Sequence, residues 1–188
     1  MRAFLALDIS SQAREGISEA IRVLRPESFR VKWVDPSLIH VTLKFFADLP
    51  EGLVDPASAA LRAVAQKTPP FIFKVSGLGY FGQRDRMRVL WCGVAEGAEL
   101  VSALQRDVDN ALAPLGLPLE QRPFNPHLTI GRLREPSREP GLAKALDRMN
   151  ALKLGEVRAE SLVLFSSVLT PRGPIYKAER TWPFEVSP

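Results

Sequence analysis

A chain of 188 residues with 46% hydrophobic and 24% charged residues has the make-up of an ordinary globular protein, long enough for one packed domain or two small lobes sharing a core. No apolar run approaches the roughly 20 residues that span a bilayer, and Asp8 stops the apolar stretch that follows Arg2, so a cytoplasmic protein without a membrane partner is expected. An excess of Lys and Arg (25) over Asp and Glu (21), with a pI near 9.5, favours an anionic partner, and a lone cysteine, Cys92, excludes an internal disulfide and a cysteine cluster for zinc or iron–sulfur.

In chain order, residues 4–7 form a short apolar run that predicts a buried strand. Residues 11–24 follow a Ser10-Ser11 cap and carry Ile17, Ala20, Ile21 and Leu24 at helical spacing. After the segment around His40 come a helix-like stretch at 56–66, a strand-like one at 71–75, and Gly- and Pro-containing turns at 69–70 and 77–82. The run 89–94 predicts another buried strand, with Cys92 as a core residue. Leu100, Val101, Leu104, Val108 and Leu112 then make an amphipathic helix of 98–111. Beyond the segment around His127, residues 134–141 read as a loop, 141–152 as a helix, 161–165 as a strand, 171–174 as a turn and 175–184 as a final strand.

These elements repeat. Ile39-His40-Val41-Thr42-Leu43 and Pro126-His127-Leu128-Thr129-Ile130 share the pattern His, apolar, Thr, apolar, with His127 placed 87 residues after His40. The same offset lays the first strand on the run 91–94, the first helix on the helix 98–111, and the later helices and strands on one another. Two copies of strand, helix, strand, helix, strand predict one α+β unit over residues 1–188, bilobal about a pseudo-twofold axis, with a His-Thr strand in each lobe.

Successive strand residues point to opposite faces, so His40, Thr42 and Lys44 share one face and Val41, Leu43 and Phe45 the other. His127 and Thr129 likewise lie opposite Leu128 and Ile130. In each lobe an imidazole and a hydroxyl then stand about 6–7 Å apart at their Cα atoms, within reach of one phosphate. Either segment alone reads as the solvated face of a half-buried strand. But the chain has only two histidines, and both occupy the same place in the same pattern. Near neutral pH one imidazole accepts a proton while a second, held protonated, donates one. In-line displacement at a phosphodiester needs both services, from opposite sides of the phosphorus. Thr42 and Thr129 are expected to hydrogen-bond the non-bridging oxygens.

The residues His40-Val41-Thr42-Leu43-Lys44-Phe45 and Pro126-His127-Leu128-Thr129-Ile130-Gly131-Arg132 resemble the two HxTx motifs of the two-histidine phosphoesterase superfamily, in its RNA 2′,3′-cyclic phosphodiesterase branch, also described as 2′-5′ RNA ligases. The opening Met1 to Leu7, the approach Trp33-Val34-Asp35-Pro36, and Ser166-Ser167-Val168-Leu169 followed by Gly173 and Tyr176 are similar too, so the likeness covers nearly the whole chain. It implies a sheet in each lobe, helices outside, and both motif strands lining a central cleft. It implies water attacking the cyclic phosphate of an RNA end or a small cyclic nucleotide, loss of the 3′ oxygen and a 2′-phosphomonoester product. His40 would be the proton donor and His127 the acceptor, an assignment the repeat alone leaves open.

Among supporting residues, Lys44 continues the His40-Thr42 face and is read either as a phosphate contact or as a solvated lysine. Arg132 is similar to the arginine that ends the family's second motif and binds substrate phosphate through its planar fork. Strict alternation puts it on the apolar face, so the strand must end or twist there. Phe124 and Trp33 are candidates for stacking on a base or for core packing, and Arg122 for a backbone contact or a solvated position. No metal or other cofactor is expected, since metal ligation usually needs three or more protein ligands and no carboxylate shares the motif faces. A monomer is expected. Ligation by the reverse reaction and a non-catalytic RNA-binding or nucleotide-binding module are the competing readings.

Overall fold

The computed structural model describes residues 1–120, 123–171 and 173–185. Its elements in order are β1 (Ala3–Leu7), α1 (Ser11–Leu24), β2 (Val31–Trp33), β3 (Val41–Phe46), α2 (Glu51–Lys67), β4 (Phe71–Gln83), β5 (Arg86–Val94), α3 (Ala98–Leu112), β6 (His127–Ser137), α4 (Pro140–Arg148), β7 (Lys153–Ala159), β8 (Ser161–Thr170) and β9 (Gly173–Pro183). Every residue of β1 is buried, as its unbroken apolar run requires. The Ser10 hydroxyl accepts from the Ala13 N–H at 3.1 Å and opens α1, whose Ala13, Ile17, Ala20, Ile21 and Leu24 form the buried stripe. The same hydroxyl donates to the Glu156 carbonyl at 2.6 Å, tying α1 to β7. Contact there is close: a Cβ on Gly16 would stand 2.1 Å from the Leu154 carbonyl oxygen. Among the described residues no helix is long and apolar enough to cross a membrane.

The strands run β7-β4-β5-β6-β3-β1-β8-β9 in one sheet, with β2 against β6. Two halves, β3-β1-β8-β9 and β6-β5-β4-β7, meet at the two motif strands through a single residue pair, Val41 with Leu128. The duplicated α+β architecture is as the repeat predicts, but the sheet expected in each lobe is fused with its mate. The fusion joins only the first residues of β3 and β6, and β2 pairs the next part of the β6 edge, at Gly131, Arg132 and Leu133. The copies are also interleaved. β4 belongs to the first copy yet pairs with β5 of the second, and β8 of the second pairs with β1 of the first. The helices exchange in the same way, α1 lying on β7 while α2 packs with α3 and β9.

Several boundaries differ from the sequence reading. Residues 77–82 are not a turn: β4 passes through them, with bulges at Gly77 (φ 76°) and Gly82 (φ 108°), and pairs with β5 as a long hairpin. The loop expected at 134–141 shortens, because β6 continues to Ser137. α2 begins at Glu51 rather than at Pro56, since Leu53 and Val54 pack against the core and draw in another turn. α4 ends at Arg148, and the strand β7 after it, like β2, had no legible periodicity. Of the turn expected at 171–174, Arg172 lies outside the described residues, and Gly173 and Pro174 begin β9.

Candidate active site

Each histidine is delivered by a local device. The Asp35 carboxylate accepts from the N–H (2.9 Å) and hydroxyl (2.7 Å) of Ser37 and starts a short turn, Pro36–Leu38, after which the chain extends and presents His40 just ahead of β3. Arg14 of α1 donates to the Pro36 carbonyl and, at 2.9 Å, to Asp8, which pins that turn to the fold. In the other half Pro126 biases Asn125 towards extended backbone, and His127 opens β6. The approach there is pinned from inside: Lys44 donates to the Pro118 carbonyl, and Asp109 accepts from the Glu120 N–H at 3.2 Å.

Both rings are oriented alike. His40 Nδ1–H donates to the Leu38 carbonyl and His127 Nδ1–H to the Asn125 carbonyl, each at 2.8 Å and each two residues upstream. A carbonyl only accepts, so the proton sits on Nδ1 and leaves Nε2 to take or give one. The antiparallel pair Val41–Leu128 sets His40 across from Thr129 and Thr42 across from His127. His40 and His127 are thus diagonal to one another, and in ordinary ladder geometry such residues stand roughly 7–8 Å apart.

Two bulges decide what else faces the cleft. β1 pairs Leu5 with Lys44 and Ala6 with Thr42, so Leu43 is an extra residue; β5 pairs Leu90 with Gly131 and Trp91 with Thr129, so Ile130 is its counterpart. Each bulge reverses the alternation beyond it. Lys44 therefore turns inward, 8% exposed, and pairs with Asp109 of α3, which also accepts from Gln105 at 2.8 Å. The expected Lys44 phosphate contact is corrected: its ammonium is consumed in a buried ion pair. The same reversal brings Arg132 onto the cleft face with Thr129, and Phe45 onto it with Thr42.

His40, Thr42, Thr129 and Arg132 line a cleft of about 850 Å³. His127 is not part of that wall; its ring stands edge-on to Phe81, 4.8 Å between centroids. His40 stacks on Phe4 at 4.4 Å and meets Tyr176 edge-on at 5.7 Å. Burial holds both imidazoles below the ordinary histidine range. For His40 the Leu38 hydrogen bond and the Asp8 charge oppose that effect, and Arg14 adds to it. For His127 the Asn125 hydrogen bond opposes it, and Arg132 adds to it.

Phe124 does not reach the cleft: it packs at the core edge and borders a small polar depression beside α3. Trp33 packs half-buried over Gly131, as the core reading expects, and also forms part of the cleft wall. Arg122 lies outside the described residues. Sequence reasoning gave no role to Phe4, Phe81, Tyr176, Lys32 or the Arg2–Phe45 pair, in which the guanidinium lies 4.6 Å from the ring centroid. Of the rings that back the histidines, Phe4 comes from β1, the neighbour of β3 in the same copy, whereas Phe81 and Tyr176 come from β4 and β9, which the exchanged topology brings to the other copy's motif; Cys92 is buried in the core, as expected.

The chain matches the profile of the 2′-5′ RNA ligase superfamily over residues 10–169. It is 36% identical over 176 residues, 94% of its length and 95% of the relative's, to an RNA 2′,3′-cyclic phosphodiesterase of Methanothermobacter thermautotrophicus. It is 33% identical to one of Thermotoga maritima, over 98% of this chain and 96% of the other. Among solved structures, a protein of Thermus thermophilus superposes with a TM-score of 0.78 at 29% identity, covering 98% of both chains. E. coli LigT complexed with 3′-AMP superposes with a TM-score of 0.77 at 22% identity over 97% of both, a likeness of fold.

Proposed function

From the premise that the chain belongs to the 2′-5′ RNA ligase superfamily, we propose that it is an RNA 2′,3′-cyclic phosphodiesterase that opens the cyclic phosphate to a 2′-phosphomonoester. The observation that carries the mechanism is the matched pair of imidazoles, each tethered through Nδ1–H to the carbonyl two residues upstream and set diagonally about Val41–Leu128. His127 Nε2 takes a proton from water as the oxygen forms its bond to phosphorus. The 3′ oxygen leaves from the opposite side and receives its proton from His40 Nε2. Thr42 and Thr129 donate to the non-bridging oxygens, and Arg132 neutralises charge on the phosphate.

The Coulombic surroundings favour this division of labour. At His40 the Asp8 charge favours the protonated ring and outweighs the opposing Arg14, whereas Arg132 beside His127 favours the neutral ring that a base requires. The whole chain acts as one two-lobed unit in this reading, a monomer on RNA ends, and its single buried Cys92 suits a reducing cytoplasm. Incubation with a short RNA ending in a 2′,3′-cyclic phosphate should yield the 2′-phosphate, with the same yield after dialysis against EDTA. A 3′-phosphate product, or none, contradicts the reading.

A further inference from the structure

On the reading that the cleft takes an RNA end, we propose that the ribbon formed by β2 and β6 is a track for the chain 5′ to the reacting nucleotide. Lys32 on this track binds the first internucleotide phosphate, beside the Arg132 that meets the reacting phosphate, and Arg30 with Arg134 binds the next. Lys32 and Arg132 are direct cross-strand partners, both exposed on the cleft face. Beyond them the Arg134 N–H donates to the Arg30 carbonyl at 3.2 Å, continuing the ladder, and both side chains are exposed. Like charges placed directly opposite destabilise a sheet. Two such pairs in succession are therefore a cost that an anion running along the ribbon would remove.

The local carboxylates leave most of this charge unmatched. Among the described residues Lys32, Arg132 and Arg134 make no ion pair, and Arg30 has only Glu139 at 3.7 Å. Asp35, the acidic residue of the cleft wall, is committed to Ser37. A cyclic phosphate carries one negative charge, which the histidines, threonines and Arg132 already meet. Lys32 and the outer arginines thus need further phosphates, and those belong to a polynucleotide. The facing wall fits such a chain as well: Leu169 and Ile175 of the β8–β9 hairpin, 66% and 59% exposed, flank Pro174 and offer apolar surface to bases.

The test measures binding of RNA 3′-phosphates of one, two and three nucleotides, which does not depend on turnover. Affinity of the wild-type protein should rise at each added nucleotide, by about 10-fold for a charge-assisted phosphate contact. Lys32→Gln should abolish the gain from one to two, and Arg134→Gln the gain from two to three. For the trinucleotide, each variant should reduce the slope of log affinity against log salt by about 0.7. Equal affinity for all three lengths, or variants that weaken one and three nucleotides alike, overturns the track. Failure to open any cyclic phosphate, with the length dependence intact, instead overturns the hydrolase reading and leaves the track standing.

Discussion

His40 and His127 are held by the same short-range device, a hydrogen bond from Nδ1–H to a carbonyl two residues upstream, yet their long-range supports differ. The turn before His40 is fixed from the surface side by Arg14, which also reaches the exposed Asp8. On the approach to His127, Pro118 is held from the interior by Lys44, which crosses from the first motif strand to Asp109 and the Pro118 carbonyl. The two motifs share a backbone frame, and the different side chains around them give two equivalently tethered rings unequal environments. The offset that pairs Leu43 with Ile130 pairs Lys44 with Gly131, so the buried cation has no counterpart in the other half.

Breaking the interior support should have the largest effect on stability. Lys44→Ala leaves Asp109 buried without its partner and should cost about 3–5 kcal/mol in urea unfolding, whereas Lys44→Met combined with Asp109→Leu should cost far less. Arg14→Ala, which removes a partly exposed support, should cost about 1 kcal/mol. Equal losses from Lys44→Ala and Arg14→Ala would show that the two supports are equivalent after all.

The hydroxyls test the symmetric part of the comparison. Thr42→Ala and Thr129→Ala should each lower kcat by about 10 to 1000-fold, with Thr→Ser much milder. Equal damage from Ser and Ala would mean that the methyl group, and so packing, was what mattered.

The smallest expected effect is on pH dependence. Burial lowers both histidine pKa values in the free protein, so kcat/KM should be bell-shaped with its maximum below the ordinary histidine value of about 6.5. A bound phosphate anion favours protonation of both rings, so the kcat profile should lie at higher pH. Stability follows the same sign. A group whose folded pKa is depressed contributes stability above its unfolded pKa and loses it as pH falls, so the urea midpoint should drop as pH falls below about 6.5, and less so in His40→Gln.

Much of this was legible in the sequence because it is local. The helix over 11–24, the helix from Ala98 and the strand character of both motifs follow from periodicity and capping, and the offset of 87 residues exposed the duplication. Lys44 failed for a physical reason. A bulge reverses which face a strand residue points to, and Leu43, an ordinary apolar strand residue, gives no sign of one. Arg132 carried a hint, since its chemistry suited the cleft while strict alternation turned it away, and the bulge at Ile130 removes that conflict. The exchange of β4 and β8 between halves, and with it the contact of Phe81 on His127, depends on long-range pairing that no local pattern records, as does the β1–β3 pairing that sets Phe4 on His40.

The division of acid and base between the two half-sites is tested most directly by comparing leaving groups. On a ribose 2′,3′-cyclic phosphate the departing alkoxide is strongly basic, so His40→Ala and His127→Ala should each lose about 100 to 10,000-fold in rate. On a diester that expels nitrophenolate, which leaves without a proton, His40→Ala should recover most of its activity relative to wild type. His127→Ala should stay impaired, because water still needs a base. Rescue of His127→Ala instead would exchange the two roles, and rescue of neither would contradict the division itself.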